Sequence, residues 1–265
     1  MSETTFVTDY TGPEGLRTRG TVLVVPGRGE GEATYQRFGR RLAADSYRVR
    51  VLRAPVIAED DLAGSLERFA ARLADAAAGT GADGPVRPLV LAGSDTGAAA
   101  LAALVAWSAT QLTAPLDASW WPQALVLAGL PGYTAHQPGG WDDELDVRTH
   151  CSVHRGVLSD DPSVRRGTLS AAVPRALLDA AYASTADLPQ LLLVGGADPL
   201  ADRDALARVA KALPAARLVV VHGAHHDVLN DLQHRSVAAE IVTFLEALRN
   251  EPSLEPIVTV GSSAW

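Results

Sequence analysis

Six short apolar, β-branched runs constrain this chain more than any other feature: "TVLVVP" (21–26), "YRVRVLRAP" (47–55), "PLVLAG" (88–93), "QALVLAGLP" (123–131), "QLLLVGG" (190–196) and "RLVVVHG" (217–223). Such runs read as strands buried on both faces. Helical patterns separate them, so a mostly parallel sheet with crossover helices follows. Leu62, Leu66, Phe69 and Leu73 share one helix face, with Glu59, Asp60 and Asp61 at the N-terminal end, where the helix dipole favours negative charge. Val237, Ile241, Phe244, Leu245 and Leu248 repeat the pattern near the C-terminus.

One segment breaks the alternation. Residues 132–188 carry no strand pattern, and so long a stretch between buried strands reads as an inserted helical cap rather than a loop. The expected organisation is a core formed by 1–131 and 189–265, with 132–188 as the cap. At 265 residues, one large α/β domain with an insertion is the natural size.

A net charge of −8 and the lack of a Lys/Arg cluster argue against nucleic acid as a partner. No apolar run approaches the roughly 18 residues that would cross a bilayer, and the start lacks a signal-peptide pattern. With a single cysteine, Cys151, no internal disulfide can form. The expectation is a cytoplasmic protein without stable membrane insertion, acting on a small molecule. A homodimer is compatible with the sequence.

Three strand ends carry chemistry-bearing residues in a telling order: Asp95 after "PLVLAG", Asp198 in "LLLVGGADP", and His225 with His226 in "VVVHGAHHDVLND". Nucleophile, acid, histidine is the chain order of the α/β-hydrolase fold. "PGRGEGEATY" (26–35) follows an early strand, where a glycine turn can aim a backbone N–H at a developing oxyanion. The backbone N–H groups of Arg28 and Thr96 are the expected donors. The G-x-G-x-G spacing there does not match a dinucleotide loop, and no cofactor is expected. His150, Cys151 and His154 lack further ligands for a metal site.

On these motifs the chain resembles the monoacylglycerol lipase and lysophospholipase branch of the α/β-hydrolase superfamily. "PGRGE" with Tyr35 and "FGRRLAADSYRV" is similar to that branch's oxyanion segment and following helix, with Pro26 where a histidine usually stands. "GGADPLAD" resembles its acid loop, "GAHHDVLND" its histidine loop, and "DPSVRRGTLSAAVPRALLDA" part of its cap. The resemblance implies Asp198 as the acid and His226 as the catalytic histidine. It puts Asp95 where the family has serine.

A nucleophile elbow needs small residues two positions before and after its apex. Centred on Asp95 these are Gly93 and Gly97; centred on Ser94 they are Ala92 and the β-branched Thr96. Asp95 is therefore the expected nucleophile and Ser94 the alternative. An aspartate attacking an acyl carbon gives a mixed anhydride, whereas attack on an alkyl carbon gives an ester that His-activated water can cleave. Haloalkane dehalogenases and epoxide hydrolases are the superfamily members with a central aspartate that this pattern resembles. They usually carry Trp or Arg after it, where Thr96 stands here.

The expectation is thus a cofactor-independent hydrolase with an Asp95–His226–Asp198 triad, acting on a largely apolar epoxide, halide or activated ester. Tyr133, Trp141 and Tyr182 are the candidate pocket residues. Two alternatives stand beside it: a serine esterase or lysophospholipase acting through Ser94, and a non-catalytic ligand-binding relative in which Asp95 only caps the following helix.

Overall fold

The computed structural model describes residues 8–80, 84–110, 119–134, 139–250, 254–259 and 261–262. Parts of the expected cap (135–138) and of the C-terminal tail therefore lie outside the described residues. Among those described, the six apolar runs form β2 (Gly20–Val25), β3 (Tyr47–Val51), β4 (Leu89–Ser94), β5 (Ala124–Ala128), β6 (Gln190–Gly195) and β7 (Ala216–Val221). A further strand, β1 (Thr8–Tyr10), joins them in one sheet of order β1-β3-β2-β4-β5-β6-β7. Strands β2 to β7 pair in parallel, and β1 lies antiparallel on β3.

β1 has no apolar pattern and was not expected. Its place follows from a cross-strand charge pair, since Asp9 sits opposite Arg50 in register and accepts from its Nε at 2.6 Å and Nη2 at 2.5 Å. Such directly opposed pairs stabilise a sheet edge without burying apolar area.

The period-two geometry of a strand sends alternate side chains to opposite faces, and the core divides accordingly. Leu23, Val25, Leu89, Leu91, Leu125 and Leu127 face one layer, where α2 (Leu62–Ala78) contributes Leu66, Phe69 and Leu73. Val22, Val24, Val90, Ala92, Ala124 and Val126 face the other. There α1 (Gln36–Ala44) contributes Phe38 and Leu42, and α8 (His234–Arg249) contributes Val237, Ile241, Phe244 and Leu245. The expected acidic start of α2 is a cap: Asp61 accepts from the Gly64 N–H at 2.9 Å.

Helix α3 (Thr96–Thr110) starts directly after β4 and is buried along its whole first half, Ala98 to Val105. Its alanines let it lie close to the sheet. Between β5 and β6 come α4 (Trp141–Arg148), α5 (Ser152–Asp160), a 3₁₀ turn at Thr168–Ser170 and α6 (Arg175–Tyr182). Leu177, Leu178 and Ala181 of α6 pack into the same cluster as α3, which ties this segment to the core. Helix α7 (Arg203–Ala212) then leads into β7.

Candidate active site

The site lies at the carboxyl ends of the parallel strands, where open α/β sheets place their ligands. Register brings these ends level: Val25 of β2 pairs with Gly93 of β4, and Ser94 pairs with Ala128 of β5. Asp95 follows at φ +48°, a left-handed conformation that non-glycine residues adopt only when the surroundings enforce it. Its N–H donates to Ala128 O at 3.0 Å, and its own carbonyl accepts the Ala99 N–H of α3 at 3.1 Å.

Both flanking glycines are required by space. A Cβ on Gly93 would lie 2.6 Å from the backbone N and Cα of Ala98, and one on Gly97 would lie 2.4 Å from Val25 O. The turn is therefore centred on Asp95. Gly27 permits the approach from the other side, since a Cβ there would fall 2.7 Å from Asp95 Cβ.

The loops after β6 and β7 bring the other two members of the constellation to Asp95. His226 Nε2 lies 3.2 Å from Asp95 Oδ1, and Nδ1 lies 2.9 Å from Asp198 Oδ2. Asp198 Oδ1 accepts the Leu200 N–H at 2.8 Å, which fixes its rotamer. Gly195 allows the histidine loop to close down, because a Cβ there would meet the carbonyls of Ala224 and His225 at 2.4 Å. All three side chains are buried.

Ser94 is engaged elsewhere, with its hydroxyl hydrogen-bonded to the Tyr35 phenol. Both ring nitrogens of His226 are taken by carboxylates, so the imidazole has no position left for a serine.

The sequence pointed to Arg28 only for its backbone. That N–H does reach Asp95 Oδ2, at 2.8 Å, but the side chain turns inward as well. Nε donates to Oδ2 and Nη2 to Oδ1, each at 2.9 Å, a bidentate pair. Nη1 donates to Ala171 O at 2.6 Å, which anchors the guanidinium to the segment between β5 and β6. The Asp95 carboxylate thus takes four donors: Arg28 N and Nε on Oδ2, Arg28 Nη2 and His226 Nε2 on Oδ1. The cleft beside Arg28, lined also by Gly132, Tyr133, Leu169 and Leu200, has a volume of only about 30 Å³.

This environment sets the charges. Burial works to raise the Asp95 pKa, but the Arg28 guanidinium and the hydrogen bonds from His226 and Arg28 hold it well below the usual carboxylate range. Burial opposes the charged form of His226 too, yet the carboxylates of Asp198 and Asp95 push its pKa up to about 10. His226 is therefore an imidazolium at neutral pH, facing two carboxylates.

A buried polar cluster supports these groups, and no sequence motif marks it. Arg148, at the end of α4, has only 1% of its side chain exposed. Its Nη2 donates to the Arg28 carbonyl at 2.7 Å and to Glu144 Oε1 at 2.9 Å, and its Nη1 lies 3.5 Å from Asp227 Oδ1. Asp227 also meets His154 Nε2 at 2.9 Å. Glu30 accepts from the Gly27 N–H at 2.6 Å and from the Tyr35 phenol, which braces the glycine turn, and burial and Asp227 push its pKa up to about 7. A conventional signal for such a cluster would be spacing. Only the Glu144–Arg148 pair, four apart on one helix, has it.

The remaining expected residues lie as follows. Thr96 opens α3, so its N–H is among the first-turn donors that lack an intrahelical partner. Tyr133 lines the cleft but donates its hydroxyl to Asp179 at 2.9 Å, and Tyr182 donates to Pro131 O at 3.1 Å. Trp141 Nε1 donates to Ser159 Oγ at 3.3 Å. His150 stacks on His225 at 3.7 Å between ring centres, Cys151 meets Arg37, and His154 meets Asp227, so these three side chains serve three separate partners. His225 itself is held by Asp231 through Nδ1 at 3.0 Å.

The elbow, the histidine loop and the acid loop all fall inside residues 17–233, the stretch that matches the sequence profile of the serine aminopeptidase S33 hydrolases. The chain belongs to this family. It is accordingly a hydrolase of the α/β-hydrolase superfamily. No curated protein sequence matches it. Among solved structures, a soluble variant of monoglyceride lipase from Saccharomyces cerevisiae superposes with a TM-score of 0.68 at 15% identity, over 91% of each chain. The monoacylglycerol lipase of Paleococcus ferrophilus gives 0.64 at 15% identity, over 92% of this chain and 99% of that one. The carboxylesterase CesB of Bacillus subtilis gives 0.59 at 13% identity, over 90% and 86%. At such identities the likeness is one of fold. Among the described residues no helix is long and apolar enough to cross a membrane.

Proposed function

We propose that this S33-family hydrolase uses Asp95, rather than a serine, as its nucleophile, and that its substrate presents an sp³ carbon bearing a leaving group, as a halide or an epoxide does. The observation that carries the reading is the placement of His226 between Asp95 Oδ1 and Asp198 Oδ2. In the first step Oδ1 forms a bond to the alkyl carbon while the leaving group departs with the bonding pair. Oδ2, beside the Arg28 N–H, becomes the carbonyl oxygen of the resulting ester.

Alkylation also readies the base. Asp95 and Asp198 together hold the proton on His226, and the ester no longer carries the Asp95 charge. The imidazolium then releases its proton to solvent, and Nε2 can take a proton from the water that attacks the ester carbonyl. The N–H groups of Arg28 and Thr96 hold the oxyanion of that step. Collapse returns Asp95 and releases the alcohol, which takes its proton from His226. For a halide, the balance is alkyl halide plus water giving alcohol, halide ion and a proton. Residues 132–188 act as the cap over a core formed by 1–131 and 189–265.

A screen of esters, epoxides and alkyl halides on the parent protein, Asp95→Ala and Ser94→Ala tests this. Turnover of halides or epoxides that Asp95→Ala abolishes and Ser94→Ala spares is the expected result. Ester cleavage that survives Asp95→Ala but not Ser94→Ala would replace the reading with a serine esterase.

One observation favours a second reading. A carboxylate with four donors is a masked nucleophile, and the same ion pair would suit a non-catalytic relative in which Arg28 and Asp95 lock an inherited site. That protein would turn over none of the three substrate classes and would form no ester on Asp95.

A further inference from the structure

A cavity of about 680 Å³ opens at the carboxyl ends of β2 and β3, where Pro26 and Leu52 line it. Its volume is that of a small-molecule site, and strand carboxyl ends are where open α/β sheets take ligands. Neither Asp95, Arg28 nor His226 lines it, so it stands apart from the candidate active site.

Two carboxylates on its walls are each half satisfied. Glu30, 9% exposed, accepts from the Gly27 N–H and the Tyr35 phenol through Oε2, but its buried Oε1 meets no donor among the described residues. Asp161 Oδ1 accepts from the Ser163 N–H at 2.8 Å and hydroxyl at 2.7 Å, whereas its buried Oδ2 meets none among those residues. Gly31, directly after Glu30, brings the two walls together, since a Cβ there would lie 2.5 Å from Asp161 Oδ2. A buried acceptor left unpaired is costly, and its presence beside a cavity points to a donor that arrives from outside.

The charges say which donor. Of the cations on the walls, Arg53 Nε lies 3.8 Å from Glu32, whose other oxygen takes the Thr8 hydroxyl, and Arg165 is exposed to water, which screens it. Burial and the Asp227 carboxylate, against Arg148, push the Glu30 pKa up to about 7, as befits a carboxyl short of positive charge. An ammonium supplies three donors and that charge, a hydroxyl supplies one donor and no charge, and an anion is repelled. Pro26 and Leu52 offer an apolar surface for the rest of the ligand.

We propose that this cavity is a second ligand site, taking a small primary amine whose ammonium is held by Glu30 and Asp161 and whose apolar body rests on Pro26 and Leu52. The assignment is independent of which residue is the nucleophile.

Calorimetric titration of the full chain at pH 7 with 2-phenylethylamine, 2-phenylethanol and 3-phenylpropanoate tests it. The amine should bind at least about 10-fold more tightly than the alcohol, and the acid should not bind. An ammonium beside Glu30 favours its ionised form, so binding should release about half a proton at pH 7, read as a dependence of the observed enthalpy on the ionisation enthalpy of the buffer. At pH 8.5, where Glu30 is already ionised, that dependence should disappear. Glu30→Gln should lose the proton release and most of the preference for the amine. Asp161→Asn, at a half-buried position outside the glycine turn, should weaken the preference, and it decides the matter if Glu30→Gln does not fold. In the parent protein the Leu52 methyl resonances should shift under the ring current of the bound amine. Equal affinity for amine and alcohol, an Asp161→Asn protein with the full preference, amine binding that leaves the Leu52 methyls in place, or no binding of the amine overturns the assignment and leaves the two oxygens to water.

Discussion

Arg28 and Asp95 face each other edge to edge, with Nε–Oδ2 and Nη2–Oδ1 both at 2.9 Å, directly beneath the residues that join β5 to β6. Every lone-pair direction of the Asp95 carboxylate is occupied in this state. The relationship makes Arg28 the main support of the buried Asp95 carboxylate.

Its structural part is measurable by itself. Replacing Arg28 with Gln leaves a buried carboxylate with only the Arg28 backbone N–H and His226, and removing one member of a buried ion pair costs about 3–5 kcal/mol. Arg28→Gln should therefore lower unfolding stability by about 3 kcal/mol in urea titrations. A change below about 0.5 kcal/mol, the range of ordinary surface substitutions, would show that the pair is not formed in solution.

The charge on His226 predicts a pH profile of stability. Its folded pKa is about 10 against an ordinary 6.5, so it is raised by folding. The stabilisation is complete below pH 6.5 and is lost as pH rises through 10, because the folded chain binds more protons than the unfolded one over that window. Parent stability should fall from pH 7 to 10, and His226→Gln should flatten that slope. Equal slopes in the two proteins would mean that His226 is neutral in the folded state.

Ser94→Ala should cost about 1 kcal/mol, the value of its hydrogen bond with Tyr35, and leave chemistry at Asp95 intact. Loss of all activity in a folded Ser94→Ala protein would return the nucleophile to the serine.

Two glycine substitutions should have opposite signs. A Cβ on Gly97 meets the carbonyls of Val25 and Pro26 at 2.4 and 2.5 Å, fixed backbone that cannot yield, so Gly97→Ala should prevent folding of the elbow and give insoluble protein. Gly156, inside α5, has open space around its Cβ position, and Gly156→Ala should stabilise by up to about 1 kcal/mol. Soluble yield checks the first variant and the melting temperature checks the second.

How far the sequence reached follows from what each feature depends on. Strands buried on both faces must be largely apolar, so β2, β4, β5 and β6 were legible as apolar runs, whereas β3 and β7 carry arginines and were legible from their β-branched valines. β1 was not, because three residues make no run: Asp9 opposite Arg50 and the packing of Tyr10 on the core hold it, and neither leaves a local sequence signal. The elbow was legible because its glycines answer a local steric demand at Gly93 and Gly97. The Arg28 side chain was not, since nothing local distinguishes an arginine that turns inward to Asp95, 67 positions away, from one that faces solvent. Arg148 and Asp227, 79 positions apart, were hidden for the same reason.

The most direct test of Asp95 as nucleophile is a single turnover of the parent protein in water enriched in heavy oxygen, with excess enzyme over an alkyl halide or an epoxide. On the proposed mechanism the bond to carbon is made by an Asp95 oxygen, and water enters only when the ester is cleaved at its carbonyl. The account predicts that the first product carries ordinary oxygen while the Asp95 peptide gains one heavy oxygen by mass spectrometry. Heavy oxygen in the first product, with an unlabelled Asp95 peptide, would contradict it.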